Sequence, residues 1–263
     1  MTGLDVEPGF LDPTEPLMSN PSTTAVVTGA SRGFGRAIAA ALVASGTDVI
    51  GIARDEEALG AVRRDLGRAF TPLVADATEE TLAHEVIREH RPGLIVLNAG
   101  AVPHMAPLHE QTWETFSRNW HADTRHVFTW VRAGLREPLP PGSVIVTMSS
   151  GAVQAGSPLS GGYAGAKAAI GYIGRYAAEE SKQAGLGIRL VTLYPQLTPA
   201  TGLGSAAVAA YAARQGVDPA AFAEGMQPIL TVEQVAKAVV DLARDQAGAT
   251  EYRITASGPH PID

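Results

Sequence analysis

The chain has 263 residues, 45% hydrophobic and 18% charged, enough for a buried core and a polar surface, with no composition break that would divide it into two domains. Its formal charge of −7, from 20 basic and 27 acidic residues, argues against nucleic acid or an anionic membrane as partner, and the absence of cysteine excludes disulfides, thiolate metal sites and cysteine nucleophiles. No apolar run is long enough to span a bilayer and residues 1–20 lack the apolar stretch of a signal peptide, so a soluble cytoplasmic protein is expected.

Residues 1–22 carry Pro8, Pro13, Pro16 and Pro21, which forbid a continuous helix, and read as a mobile or surface-draped extension ahead of a single domain over 23–263. Thr24 to Thr28 is a short β run and Arg36 to Ser45 an Ala-rich helix closed by Gly46. Asp48 to Ala53 is the second strand, followed by a helix that Asp55 can cap and that runs to Gly67. Phe70 to Ala75 is the third strand, Glu79 to His90 a helix, and Leu94 to Asn98 the fourth strand. A long helical stretch over about Gln111 to Glu137 ends at the Pro138, Pro140, Pro141, Gly142 cluster. Ser143 to Ser149 (strand), Tyr163 to Ala184 (helix), Ile188 to Tyr194 (strand), Thr231 to Asp245 (helix) and Glu251 to Ala256 (strand) complete the pattern. Short apolar strands alternating with helices predict a doubly wound α/β fold, a seven-stranded parallel sheet with helices on both faces and ligands beyond the carboxyl ends of the strands.

Polar features cluster just after these strands. Gly29-xxx-Gly33-x-Gly35, with Ser31, Arg32 and Phe34 between the glycines, joins the first strand to the first helix and lets backbone N–H groups approach a pyrophosphate. It lacks the GxGxxG spacing, so the context carries the reading. The second strand ends in Ala53 and Arg54, where an acidic residue would bind a ribose 2′-hydroxyl. Arg32 and Arg54 would instead clamp a 2′-phosphate, which favours NADP(H); Arg54 could alternatively pair with Asp55, Glu56 or a neighbouring helix. Asp76, with Ala77 beside it, is placed to hydrogen-bond an adenine amino group or to cap a helix. Asn98-Ala99-Gly100 leaves room for an adenine-ribose, although a plain turn would look the same.

Tyr163 and Lys167 share one helix face, and Ser150 lies thirteen residues upstream of the tyrosine at the end of a β run. A phenol needs a nearby cation to handle protons at neutral pH, and Lys167 is spaced to supply it. His84, His90, His109, His121 and His126 stand in no usual ligand spacing and read mostly as solvated helix residues, so no metal is expected. His104, on the loop after Gly100, is a candidate substrate contact.

Thr28 to Gly35, Asp76, Asn98-Ala99-Gly100, Ser150, Tyr163-xxx-Lys167 and Pro195, in this order over residues 24 to about 256, resemble the short-chain dehydrogenase/reductase family. The resemblance implies a Rossmann-type domain, a homotetramer or homodimer, and reversible oxidation of alcohols or reduction of carbonyls with a nicotinamide cofactor. It makes Tyr163 the general acid/base, Lys167 its pKa-lowering partner and a ligand of the nicotinamide ribose, and Ser150 a hydrogen-bond donor to the substrate oxygen. The chain departs from the family at Asp123, where an asparagine usually relays protons through water; Asn119 is the nearby alternative. A second departure is Gln196 after Pro195, where glycine is usual, which makes Gln196 a candidate substrate contact. Thr198 and Thr201 are candidates for the carboxamide contacts.

By the same resemblance, about 197–227 is a substrate-covering insertion. Leu197, Leu203, Val153 and Leu159 suggest an apolar carbonyl or alcohol, although plain packing would account for them too. The leading expectation is an NADP(H)-dependent carbonyl reductase. A catalytically silent NADP(H)-binding sensor or scaffold and a non-redox lyase or epimerase are the alternatives.

Overall fold

The computed structural model describes residues 24–137, 139–245 and 247–262, so the extension expected over 1–22 lies outside the described residues. Strands β1 (Thr24–Thr28), β2 (Asp48–Ala53), β3 (Phe70–Val74), β4 (Leu94–Leu97), β5 (Val144–Met148), β6 (Arg189–Pro195), β7 (Glu251–Thr255) and β8 (Gly258–Pro261) form one sheet in the order β3-β2-β1-β4-β5-β6-β7-β8. The first seven run parallel, and β8 pairs antiparallel with β7. β4 and β5 are buried at every residue, as expected of strands covered on both faces. The expected seven strands are present, and the eighth is an addition. Its Pro259 and Pro261 argue against a strand in sequence but are tolerated on an outermost strand.

Helices α1 (Gly33–Ala44) and α10 (Val232–Arg244) pack together on one face, where Ile38, Leu42, Val235 and Val239 meet Val27, Val96 and Val146. On the other face, α3 (Glu80–His90), α5 (Arg125–Arg136) and α7 (Gly161–Gln183) bury Val86, Ile87, Trp130 and Ile170 against Val26, Ile95 and Ile145. Helix α2 (Glu56–Leu66) is capped as expected, Asp55 accepting from the Ala58 N–H at 3.0 Å.

The single long helix expected over Gln111 to Glu137 is three pieces. These are α4 (Trp113–Asn119), a π-helical turn over Trp120–Thr124, and α5. The inserted residue of a π turn rotates the side chains that follow it, and such turns concentrate at functional sites. Here the turn carries Asp123. Two further corrections concern helix starts: α1 begins inside the glycine-rich turn, at Gly33, and α7 begins at Gly161. Short α6 (Ala152–Ala155) follows β5, and 202–224 forms α8 (Gly202–Gln215) and α9 (Pro219–Glu224). The chain crosses from β3 to β4 on the far side of β1, so the strand order reverses between β1 and β4 and a crevice opens above their carboxyl ends.

Candidate active site

A cleft of about 1600 Å³ occupies that crevice. Gly29, Ser31, Arg32, Gly33, Phe34, Arg54, Asp76, Ala77, Asn98, Ala99 and Gly100 line one end, and Ser150, Tyr163, Lys167, Pro195, Gln196 and Thr198 the other.

Gly29 adopts φ +67° and donates its N–H to the Ile52 carbonyl at 2.8 Å. A Cβ on Gly35 would lie 2.1 Å from the Gly29 carbonyl oxygen, so no other residue fits there without backbone movement. Gly35 does not line the cleft, which corrects its expected contact: it lets the turn close. The first turn of α1 carries no side-chain cap and no acidic residue, leaving N–H groups free for an anion.

The Asn98 side chain turns back on the scaffold. Its Nδ2 donates to the Thr28 carbonyl at 3.1 Å, while the Asn98 and Ala99 N–H groups donate to Thr28 Oγ1 at 2.9 and 3.1 Å. The strand end is thereby fastened and the Ala99 and Gly100 backbone left facing the cleft.

The Arg54 side chain is 80% exposed and its Nη1 is 4.0 Å from Asp76 Oδ2, so neither Asp55 nor Glu56 is its partner. Asp76 Oδ1 accepts from the Thr78 N–H and hydroxyl at 2.9 and 2.8 Å, which closes a turn rather than capping α3. Those bonds, led by the backbone one and joined by the Arg54 charge, hold the Asp76 carboxyl below its ordinary range against the opposing effect of burial.

At the other end, Ser149 Oγ donates to the Lys167 carbonyl at 2.8 Å and fastens α7 to β5. Ser150 Oγ accepts from the Ala152 N–H at 3.2 Å, which fixes the oxygen while its own hydrogen stays available. Tyr163 and Lys167 lie one turn apart, the ammonium 5.6 Å from the phenol ring centroid. Lys167 Nζ donates to the Met148 carbonyl at 3.0 Å and lies 3.2 Å from Asp123 Oδ2, with the lysine side chain 7% and the aspartate 1% exposed. Burial alone would lower the Lys167 pKa; the charges of Asp123 and Tyr163 outweigh it and raise the value above the ordinary lysine range.

Asp123 Oδ1 accepts from the Ala101 N–H at 2.7 Å, and a Cβ on Gly100 would come within 2.9 Å of Oδ2, so glycine there admits the carboxylate. Asn119 instead donates to the Ala101 carbonyl at 2.8 Å and lies 3.4 Å from Asp123 Oδ1. The residue beside the lysine is therefore Asp123, and Asn119 braces the same loop one turn earlier.

The other expected residues differ in what they reach. His104 is exposed and outside the cleft, where Met105 takes its place. The Thr198 hydroxyl is committed to the Leu230 carbonyl at 2.5 Å and the Ala200 N–H at 3.2 Å, and Thr201 Oγ1 caps α8 through the Gly204 N–H at 3.0 Å. Gln196 lines the cleft and reaches the Pro228 carbonyl at 3.4 Å. Leu197 and Leu203 line it as well, whereas Val153 and Leu159 do not. His126, expected on a solvated face, is 1% exposed and lines the cleft. Tyr211 of α8, within the segment expected to cover the substrate, lines the cleft and hydrogen-bonds Ser157 at 2.6 Å. No cluster of metal-ligating side chains exists among the described residues, nor a helix long and apolar enough to cross a membrane.

A doubly wound sheet, a glycine-rich turn at its switch point and a Ser-Tyr-Lys group at the other end of one cleft define a dinucleotide-binding class of enzyme fold. The family model described as short chain dehydrogenase matches residues 23–212, and the chain belongs to that family of oxidoreductases, whose fold binds a nicotinamide cofactor. It is 31% identical over 180 residues to an NADPH-dependent pterin aldehyde reductase of Arabidopsis thaliana, covering 65% of this chain and 73% of the relative. Among solved structures, levodione reductase superimposes with TM-score 0.79 at 22% identity, over 90% of this chain and 97% of that one. A 3-ketoacyl-(acyl-carrier-protein) reductase of Brucella melitensis complexed with NADH gives 0.73 at 22% identity, over 88% and 93%.

Proposed function

We propose that this protein is an NADP(H)-dependent reductase of a ketone or aldehyde carried on an apolar small molecule. The observation that carries the reading is the single cleft with Arg32, Arg54 and the open first turn of α1 at one end and Ser150, Tyr163 and Lys167 at the other. The residues fit the dinucleotide: Gly29, Gly33 and the first N–H groups of α1 would hold the pyrophosphate, and the absence of an acidic residue at Ala53 and Arg54 suits a 2′-phosphate. When bound, the nicotinamide supplies hydride to the carbonyl carbon.

In reduction, the Ser150 hydroxyl donates a hydrogen bond to the carbonyl oxygen and orients it, and the Tyr163 hydroxyl gives that oxygen its proton. The Lys167 ammonium, kept charged by Asp123, stabilises the tyrosinate left behind and would hold the nicotinamide ribose. Asp123 fixes the ammonium while bracing the Ala101 loop. Leu197, Leu203, Ala207, Tyr211 and Phe222 would cover the substrate, within a covering segment about 197–227 of a single domain spanning 23–263. Exposed Phe128, Tyr172 and Tyr176 on α5 and α7 support a homodimer or homotetramer through those helices. The NADPH dependence of the Arabidopsis relative supports the cofactor choice at modest identity.

The test is a fluorescence titration with NADPH and NADH followed by a carbonyl screen. NADPH preference lost in Arg54→Ala, together with turnover of a carbonyl panel, is the expected result. NADH preference would overturn the guanidinium clamp, and tight binding without turnover would favour a silent binding protein.

A further inference from the structure

The substrate end of the cleft carries a cation that the carbonyl chemistry does not use. Arg253 of β7 lines it together with Gln154 of α6 and Thr255. Tyr252 and Ile254 point into the core shared with α1 and α10, so alternation along the strand turns Arg253 to the α7 side. The sheet register sets its height. Arg253 stands beside Tyr194, one residue below the level at which Pro195 pairs with Ile254 and the Pro195 carbonyl accepts the Gly151 N–H at 2.8 Å. Two inter-strand steps of about 4.8 Å therefore put its backbone roughly 10 Å from that of Ser150, a gap that a long side chain and a short substrate span together.

Its guanidinium is held but not neutralised. Nε donates to Gln154 Oε1 at 3.0 Å, while among the described residues Nη1 and Nη2 have no protein partner and no carboxylate comes within ion-pair distance. Glu251, two residues earlier on the same side of β7, is taken by Arg175 through both oxygens at 2.8 and 2.9 Å and by the Tyr194 hydroxyl at 2.6 Å. The partner of Arg253 on β8 is a base, His260, whose Nε2 is shared between Thr255 Oγ1 and Ser257 Oγ at 3.1 and 2.9 Å. Of the carboxylates lining the cleft, Asp55 caps α2 and Asp76 closes its turn at the dinucleotide end, and Asp123 is committed to Lys167. In a chain of formal charge −7, the substrate end thus keeps an uncompensated positive charge.

We propose that Arg253 binds a carboxylate at the far end of the substrate, so that the carbonyl reduced at Ser150 and Tyr163 belongs to a keto or aldehydo acid with an apolar body. The free Nη1 and Nη2 edge offers the paired N–H groups that match a carboxylate, and Gln154 holds the fork in place. Leu197, Leu203 and Phe222 line the same end and take the chain between the two polar groups. This inference rests on the carbonyl-reductase reading and adds to it the charge of the substrate. An anion held by a guanidinium exposed at the cleft mouth gains roughly 10-fold over its uncharged ester, and salt reduces the gain.

The test measures kcat/KM with NADPH for levulinate, 6-oxoheptanoate and 4-benzoylbutyrate, each against its methyl ester, in wild type, Arg253→Met and Arg253→Lys. At low salt wild type should prefer at least one acid to its ester by roughly 10-fold, a preference lost in Arg253→Met and kept in part in Arg253→Lys, which retains the charge without the fork. Heptanoate and heptanamide, which have no ketone or aldehyde to reduce, give a second readout. Heptanoate should raise the Tm of the NADP⁺-bound wild type more than the amide does, and the difference should vanish in Arg253→Met. Equal kcat/KM for acids and esters in wild type, or an acid preference untouched by Arg253→Met, overturns the anion site while leaving the carbonyl reading in place. Turnover of no acid or ester, with the heptanoate difference present, overturns the carbonyl reading and keeps the anion site; with that difference also absent, both fall.

Discussion

Asp123→Asn separates the charge of the Asp123-Lys167 pair from its shape. The variant keeps a carbonyl oxygen for the Ala101 N–H but leaves the ammonium, 3.2 Å away and 7% exposed, without a counter-ion. Breaking a buried pair by removing one partner costs roughly 3–5 kcal/mol, and the retained Ala101 bond puts this case near the lower end. About 3 kcal/mol in a domain of this size lowers Tm by roughly 6–12 °C.

The pH dependence follows from the sign of the lysine shift. A raised folded-state pKa means stability that is fully present below about 10.5 and lost as pH rises through the folded value. The stability difference between wild type and variant is therefore full at neutral pH and narrows in alkali. Without the carboxylate, burial is left as the dominant influence on Lys167, so the ammonium deprotonates earlier and the alkaline limb of turnover moves to lower pH. Thermal melts from pH 7 upward and a pH–rate profile measure both. A variant that melts with wild type and keeps the same alkaline limb would refute the coupling.

Gly35→Ala places a Cβ 2.1 Å from the Gly29 carbonyl, a backbone atom that cannot move cheaply. It should destabilise by about 1–3 kcal/mol in chemical denaturation and weaken dinucleotide binding, and unchanged values for both would contradict the close-packed turn. His126, with a pKa of about 3 against an ordinary 6.5, contributes stability that is present above pH 6.5 and lost as pH falls toward 3. Acid titration of His126→Leu should show a flatter loss over that window than wild type. Arg54→Ala should weaken NADPH binding while leaving NADH within about 2-fold, because the exposed guanidinium meets only the 2′-phosphate in this account.

What was legible in the sequence followed from local rules. Continuous apolar runs marked β4 and β5, and glycine spacing marked the turn after β1, because burial on both faces and positive φ leave direct traces in composition. The family alignment puts Asp123 where a carboxylate can accept from Lys167, as it does; the π-helical turn that carries it left no trace. Nothing in Trp120 to Thr124 breaks a helix, so that turn was hidden. His126 reads as solvated in isolation, whereas Val127, Trp130 and Val131 place its side of α5 against the sheet. β8 was hidden by its two prolines, and the separation of His104 from the cleft depends on a loop path with no periodicity.

The central claim is that Tyr163 is the proton donor to a carbonyl in an otherwise intact dinucleotide site. Its most direct test is turnover of a carbonyl panel with NADPH by wild type and Tyr163→Phe, alongside NADPH affinity for both. The account predicts carbonyl-dependent NADPH oxidation by wild type, lost in the variant with affinity retained. Wild-type-like turnover in Tyr163→Phe would contradict it.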